Sequence, residues 1–320
     1  MIERLGPALA APIFETVAVI GVGLIGSSIA LAARRRGAAK KIVLSDRSAD
    51  VLARAEALRL GDETVSDLSA AVRDADLVML CAPVGANAEI GRAIAGSLKS
   101  GAVVSDVGSV KGAVVAALAP ILPKSVHFVP AHPVAGTEQS GPEAGFPELF
   151  INRWCILTPP AGTDEGAVQR VKAFWEALGS HVEIMSAEHH DLVLAITSHL
   201  PHLIAYNIVG TAAELEETLR SEVMKFSAGG FRDFTRIAAS DPTMWRDVFL
   251  NNKDAVLEML GRFTEDLTAL QRMIRRGDGE GLFALFTRTR AIRRGIVELG
   301  QETAAPDFGR RGRAPPEPTA

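Results

Sequence analysis

The 320-residue sequence has only two cysteines, Cys81 and Cys155. Two thiols cannot form a disulfide framework, and they fit a reducing compartment. There is no CxxC pair and no spaced Cys/His set, which removes the usual zinc signatures. Basic charge is not in excess either. Lys plus Arg is 34 and Asp plus Glu is 38, a net charge of −4. That balance gives no electrostatic reason to expect nucleic acid or an anionic membrane as partner. Apolar stretches are broken by Gly, Arg or Ser before the roughly 18 residues of a membrane span. The N-terminal stretch MIERLGPALAAPIFET has one Arg, two Glu and no long apolar core, so it does not read as a secretory signal.

What is present is the composition of a packed globular chain, 48% hydrophobic and 22% charged. The length suits two domains, and the expected location is the cytoplasm. In the first half, short apolar runs alternate with helical patterns. Val17–Ile20, Ile42–Ser45, Leu77–Cys81, Ala102–Ser105 and Val126–Val129 read as strands. Between the first two, Leu24–Arg36 reads as a helix, with Arg34, Arg35 and Arg36 suiting its C-terminus and Gly37 its stop. Strands apolar throughout and separated by helices predict a doubly wound parallel sheet, an α/β domain. Ile151–Leu157 and Val182–Met185 read as further strands around a helix from about Asp164 to Leu178. After Ser186 the pattern is helical. Val256, Leu260, Phe263, Leu267, Leu270 and Ile274 make one apolar stripe, suited to a core or a dimer contact. The expected domains are residues 1–15 as an extension, 16–186 as the sheet domain, 187–300 as an all-helical domain and 301–320 as a disordered tail.

Gly21-Val-Gly23-Leu24-Ile25-Gly26 follows the first strand and opens the first helix. GxGxxG alone is weak, but strand and helix flank it correctly. Gly21 permits the tight turn, Gly23 lets the backbone approach a pyrophosphate, and Gly26 lets helix and strand pack closely. The helix start, with Leu24 and Ile25, supplies N–H donors for phosphate. Asp46 closes the second strand, twenty residues beyond Gly26. A carboxylate there hydrogen-bonds ribose hydroxyls and repels a 2′-phosphate, which favours NAD over NADP. Arg47 is the counter-signal. Ala82 and Pro83, at the end of the third predicted strand, are further candidate cofactor contacts.

A nicotinamide lies beyond the C-terminal ends of such strands. The polar candidates there are Asp106, Ser109 and Lys111 after the fourth strand, and His132 and Glu138 after the fifth. Ser109 alone could simply cap the following helix. The helical half adds Thr197-Ser-His199-Leu-Pro201-His202. It also adds the segment from Gly229 and Gly230 through Arg232, Asp233 and Arg236 to Trp245 and Arg246. The second cluster is either a solvated helix entrance or an anion pocket in which Arg grips a carboxylate. His189, His190 and Asp191 read as polar residues at a helix start.

Together VAVIGVGLIGSSIA, SDVGSVKG, HPVAGTEQSGPEAGF, SHLPH and FSAGGFRDFTRIAASDPTMWRDVFLNN resemble the prephenate dehydrogenase family of tyrosine biosynthesis, from about Val17 to Leu299. The resemblance implies a Rossmann-type domain followed by an all-helical dimerisation domain. It implies oxidative decarboxylation of prephenate, and of arogenate in some members, with hydride transfer to NAD. His132 is then the base for the ring hydroxyl, with Ser109 beside that hydroxyl and the nicotinamide. His202 and Arg236 face the dicarboxylate substrate. Glu138, Gly229, Asp233 and Trp245 match positions that line or gate the pocket, and Asp233 and Trp245 are candidates to come from the partner of a homodimer. His199 reads as a structural neighbour, and both cysteines as buried and inert.

The sequence holds no stretch for a fused chorismate mutase, and its last twenty residues are too few for a regulatory domain, so a single-function enzyme is expected. Two rivals share the glycine turn. A β-hydroxyacid dehydrogenase or pyrroline-carboxylate-type reductase has the same domain order, but the former wants a catalytic lysine that the segment around His199 does not offer. A dinucleotide-sensing protein has no use for His132, Ser109 and Arg236 together.

Overall fold

The computed structural model describes residues 7–137, 139–214, 222, 225 and 229–296. Two compact units divide the chain, Met1–Val256 and Leu257–Ala320.

The first unit is built on a six-stranded sheet of order β3-β2-β1-β4-β5-β6. The strands are β1 Phe14–Ile20, β2 Ala39–Ser45, β3 Glu63–Thr64, β4 Leu77–Leu80, β5 Val103–Asp106 and β6 His127–Phe128. Every pairing in this sheet is parallel, and the order is that of a Rossmann dinucleotide-binding fold. Side chains alternate across it. Val17, Val19, Leu77, Met79 and Val103 enter one buried cluster, while Ala18, Ile20, Val78, Leu80 and Val104 enter the other. The sheet is thus apolar on both faces, as the unbroken apolar runs predict.

Five of these strands match sequence runs. β3 does not, because Glu63–Thr64 is a two-residue polar pair at the sheet edge. The expected strand Ile151–Leu157 shortens to β8 Trp154–Leu157, the expected Val182–Met185 shifts by one residue to β9 His181–Ile184, and both leave the main sheet. With β7, Ala131–Pro133, they form a second sheet of order β7-β8-β9, antiparallel and then parallel. β7 is invisible to a hydrophobic pattern because it is the three residues Ala-His-Pro. Its pairing with β8 sets the backbone around His132.

Helix α1, Leu24–Arg36, ends as its sequence predicts. Gly37 adopts φ 63°, its N–H reaches Ala33 O and Arg34 O, and three arginines occupy the last turn. Helices α2 Ala49–Ala57, α3 Leu68–Val72 and α4 Asn87–Ala95 come next; helix α5, Lys111–Leu118, follows β5, α6 Glu165–Ala177 lies between β8 and β9, and helix α7, Ala187–Leu194, packs against α5. α7 continues through a π-turn at Ala195–His199 into the helix Leu200–Ala213. The continuous run Ala187–Ala213 has 27 residues and contains an 18-residue stretch of mean hydropathy 1.5, long and apolar enough to cross a membrane by length and composition. No such stretch is expected from the sequence, where Gly, Arg or Ser breaks the apolar runs. Buried His190, Asp191 and His199 on this run tie it to the sheet domain, as in a packed globular helix. A short helix Gly229–Thr235, a 3-10 turn Arg236–Ala239 and the helix Pro242–Asn251 complete the described part of this unit.

The second unit takes most of the helix Lys253–Arg276, a turn with Gly277 at φ 66°, and the helix Gly279–Ile296. Its apolar stripe is only partly covered, with Leu267 and Ile274 exposed, and Phe283, Phe286 and Ile292 are exposed as well.

Candidate functional site

The order of the sheet reverses between β1 and β4, and the two strands end side by side. Gly21, just past β1, has φ +97°, and a Cβ there would lie 2.8 Å from the Cys81 carbonyl and 2.9 Å from Ala82 N. A Cβ on Gly26 would lie 2.1 Å from Gly21 O. Both positions therefore need glycine for packing. Gly23 differs: a Cβ there would meet nothing within 4 Å. Gly23 is also the N-cap of α1, and no side chain caps it. A helix start with open space and uncapped N–H groups at Leu24 and Ile25 is what a pyrophosphate requires. The half-buried Asp46 carboxylate accepts from Val22 N and Ser48 N, both at 2.9 Å, fixing the glycine turn. A carboxylate accepts about four hydrogen bonds, so capacity for ribose hydroxyls remains. Arg47 is exposed. Ala82 and Pro83 lead from β4 into the 3-10 turn Val84–Ala86. These residues fit a dinucleotide.

A second set of groups converges beyond β5. Lys111, wholly buried, donates to the Asp106 carboxylate and, at 2.7 Å, to Ala131 O. Asp106 accepts also from Gly108 N at 2.8 Å. Burial pulls the Lys111 pKa down, and Asp106 opposes it. This ion pair ties the loop that carries Ser109 to the strand that carries His132. Ser109 is half-buried, two residues before α5.

His132 is 6% exposed. Its Nδ1 lies 2.8 Å from His190 Nε2, and His190 Nδ1 lies 2.8 Å from Asp191 Oδ1. Asp191 accepts also from Lys111 N and Gly112 N, at 2.7 and 2.8 Å, and so closes the start of α5. His190 and Asp191 are thus far more than helix-start residues. The sequence signal that could have found them is slight, a His-Asp pair opening an apolar helix. Burial holds His132 well below the usual histidine range, with the neighbouring His190, Lys111 and His199 adding to the effect. The imidazole is neutral at working pH.

His199 is wholly buried, with Nδ1 3.1 Å from Asn252 Nδ2. His202 donates from Nδ1 to Ser198 O at 2.8 Å and stacks on Trp245, ring centroids 3.6 Å apart. Burial, and then the nearby Arg236 guanidinium, keep the pKa of His202 low. Trp245 packs with Val110 and Val248. Its stack on His202 is made within one chain. Gly229 starts the short helix that leads to Arg236, and Asp233 on it is exposed and paired with Arg232 at 3.2 Å. Neither Gly229 nor Asp233 hydrogen-bonds His132, His202 or Trp245. Glu138 lies outside the described residues. Of the cysteines, Cys155 is buried, but Cys81 is only half-buried, because it sits at the strand end beside Gly21.

The strap after His132 reaches back to the glycine helix. Phe146 N donates to Ser28 Oγ at 3.1 Å, and a Cβ on Gly145 would lie 2.3 Å from Ser27 Oγ. Ion pairs Arg54–Glu143 and Arg35–Glu148 hold the strap from outside. The segment that follows His132 is thereby fastened to α1, the helix that the glycine turn opens.

Comparison with known proteins adds the following. Residues 29–184 match the family model for the prephenate dehydrogenase nucleotide-binding domain, and residues 186–288 match that for the prephenate dehydrogenase dimerization domain. A cyclohexadienyl dehydrogenase of Zymomonas mobilis is 45% identical over 88% of this chain and 96% of its own. A crystal structure of prephenate dehydrogenase from Aquifex aeolicus, in complex with hydroxyphenyl propionate and NAD+, aligns with a TM-score of 0.82 at 38% identity, covering 88% of this chain and 98% of that one. The Synechocystis arogenate dehydrogenase structure aligns with a TM-score of 0.75 at 27% identity, covering 88% and 99%.

Proposed function

The chain belongs to the prephenate dehydrogenase family, and on that premise we propose that it oxidatively decarboxylates prephenate, and arogenate as a second substrate, in tyrosine biosynthesis. It is an NAD-dependent dehydrogenase. The products are 4-hydroxyphenylpyruvate from prephenate, or tyrosine from arogenate, with CO₂ and NADH. The observation that carries this reading is His132: a buried imidazole kept neutral, at the end of the sheet where a nicotinamide reaches.

Bound NAD supplies the hydride acceptor. The glycine turn, Leu24 and Ile25 hold its pyrophosphate, Asp46 its adenosine ribose, and Ala82 and Pro83 flank it. His132 Nε2 takes the proton of the ring hydroxyl as the hydride leaves the same carbon. A neutral imidazole carries the lone pair this needs, and it does so across the neutral pH range because burial keeps it unprotonated, at the cost of basicity. Loss of the ring carboxylate as CO₂ makes the ring aromatic and drives the reaction. Ser109 orients the hydroxyl. Arg236 holds a carboxylate, and a tight grip on the ring carboxylate would oppose its departure, so the side-chain carboxylate suits it better. With Nδ1 donating to Ser198 O, neutral His202 offers a lone pair at Nε2 and so faces a substrate donor rather than a carboxylate. Trp245, stacked on His202, walls the ring pocket in this reading, and Gly229 and Asp233 are its further candidate lining residues.

The division of function proposed here falls near Ser186, a reading supported by family-model matches to residues 29–184 and 186–288. The half-exposed stripe through Leu267 and Ile274 suits a homodimer contact, and the enzyme works in the cytoplasm without nucleic-acid or membrane partners. Substrate choice is tested by kcat/KM for prephenate and arogenate side by side. Prephenate is expected to be used at least as well as arogenate. Turnover of arogenate alone would overturn this choice.

A further inference from the structure

We propose that His190 and Asp191 are positioning residues for His132, a buried carboxylate–imidazole relay that fixes the tautomer of the base before substrate arrives. The proposal rests on the reading of His132 as the base.

The direction of each hydrogen bond follows from what the groups can do. Asp191 accepts two backbone N–H groups, from Lys111 and Gly112, so its oxygens are acceptors. A carboxylate oxygen accepting at 2.8 Å from His190 Nδ1 requires a proton on Nδ1. Burial lowers the pKa of His190 despite the hydrogen bond to Asp191, so the ring is neutral. A neutral ring with its proton on Nδ1 has a lone pair on Nε2. His132 Nδ1, 2.8 Å away, must then be the donor. The lone pair of His132 is thereby placed on Nε2, and among the described residues nothing hydrogen-bonds that atom. The other assignment sets a lone pair of His190 against the carboxylate of Asp191.

The relay also affects the cation formed when His132 takes a proton. A neutral acceptor at Nδ1 stabilises the imidazolium. Of the titratable groups around it, His190 from α7, His199 from the π-turn and Lys111 from α5 act on it directly, with Asp191 behind His190, Asp106 bonded to the neighbouring Ala131 N and Cys155 on the paired strand β8. Burial, Lys111 and His199 disfavour the cation, and so does His190 when it is itself charged; a neutral His190 with its lone pair on Nε2 is instead an acceptor for the His132 Nδ1–H and the local counterweight. Asp191 has a second attachment, the start of α5, so the relay is anchored to the same helix whose leading loop carries Ser109. Base and hydroxyl-orienting residue share one reference point.

Substitution at His190 separates this role from packing. A Gln side chain reaches about as far as His Nε2 and keeps an acceptor for His132, whereas Asn reaches about as far as Nδ1 and keeps only the link to Asp191. The full-length protein is assayed with NAD and prephenate. His190→Asn is expected to lower kcat by at least about 10-fold. It should leave the KM for prephenate and the NAD affinity within about twofold, and move the acid limb of kcat down by roughly one pH unit. His190→Gln is expected to stay within a few-fold of wild type with its acid limb in place. Equal turnover in the two variants, or a better Asn variant, overturns the relay. His132→Asn serves as the control. Near-normal turnover there would refute the base assignment itself, whereas an inactive His132→Asn beside a wild-type-like His190→Asn would refute the relay alone.

Discussion

Acid should unfold this protein through histidines that the fold holds neutral, and His199 gives the magnitude. It is wholly buried, and burial pushes its pKa down to about 4 from an ordinary 6.5. The unfolded chain therefore binds a proton that the folded chain refuses. The stability this confers is complete above pH 6.5 and is lost as pH falls through 6.5 towards 4. At about 1.4 kcal/mol per unit, a span of 2.5 units amounts to about 3 kcal/mol for this one residue. That is a large share of a typical 5–15 kcal/mol. His132, His190 and His202 shift in the same direction and add to the slope. The assay is urea unfolding followed by circular dichroism at several pH values between 7.5 and 4, at fixed protein concentration. His199→Asn keeps an acceptor for Asn252 and removes the titration. Its stability is expected to fall less steeply, by up to about 1.4 kcal/mol per pH unit. Parallel slopes for the variant and the wild type would refute the claim that burial keeps His199 uncharged.

Two other perturbations test separate parts of the site. Lys111→Met removes the partner of a wholly buried Asp106 carboxylate and the donor to Ala131 O, and should cost about 3–5 kcal/mol in urea unfolding at pH 7. A loss below about 1 kcal/mol would show that Asp106 does not need the cation. Arg236→Gln should raise the KM for prephenate about 10-fold or more while leaving NAD affinity little changed. An unchanged KM would move the carboxylate contact elsewhere.

The cofactor half of the site was legible because its signals are local. A glycine turn between a strand and a helix, a run of arginines before Gly37, and a carboxylate after the second strand are all read from adjacent residues. The structure then adds reasons, such as the 2.1 Å that a Cβ on Gly26 would leave to Gly21 O. In the second half, strand-end position singled out Ser109 and His132, but their roles were legible only through resemblance. β7 is too short for a hydrophobic period, and β8 and β9 change sheets for reasons no single segment contains. His190 and Asp191 look like ordinary residues at a helix start, and their contact with His132 spans 58 positions. Trp245 reached its place from its own chain because a helix packs on Val110, a contact that spacing alone does not reveal.

The most direct test of the account is to mix the purified protein with NAD and prephenate and follow NADH and CO₂ together. NADH and CO₂ formed in equal amounts, with NADP a poorer acceptor, is the result expected. No NADH from either prephenate or arogenate would contradict it.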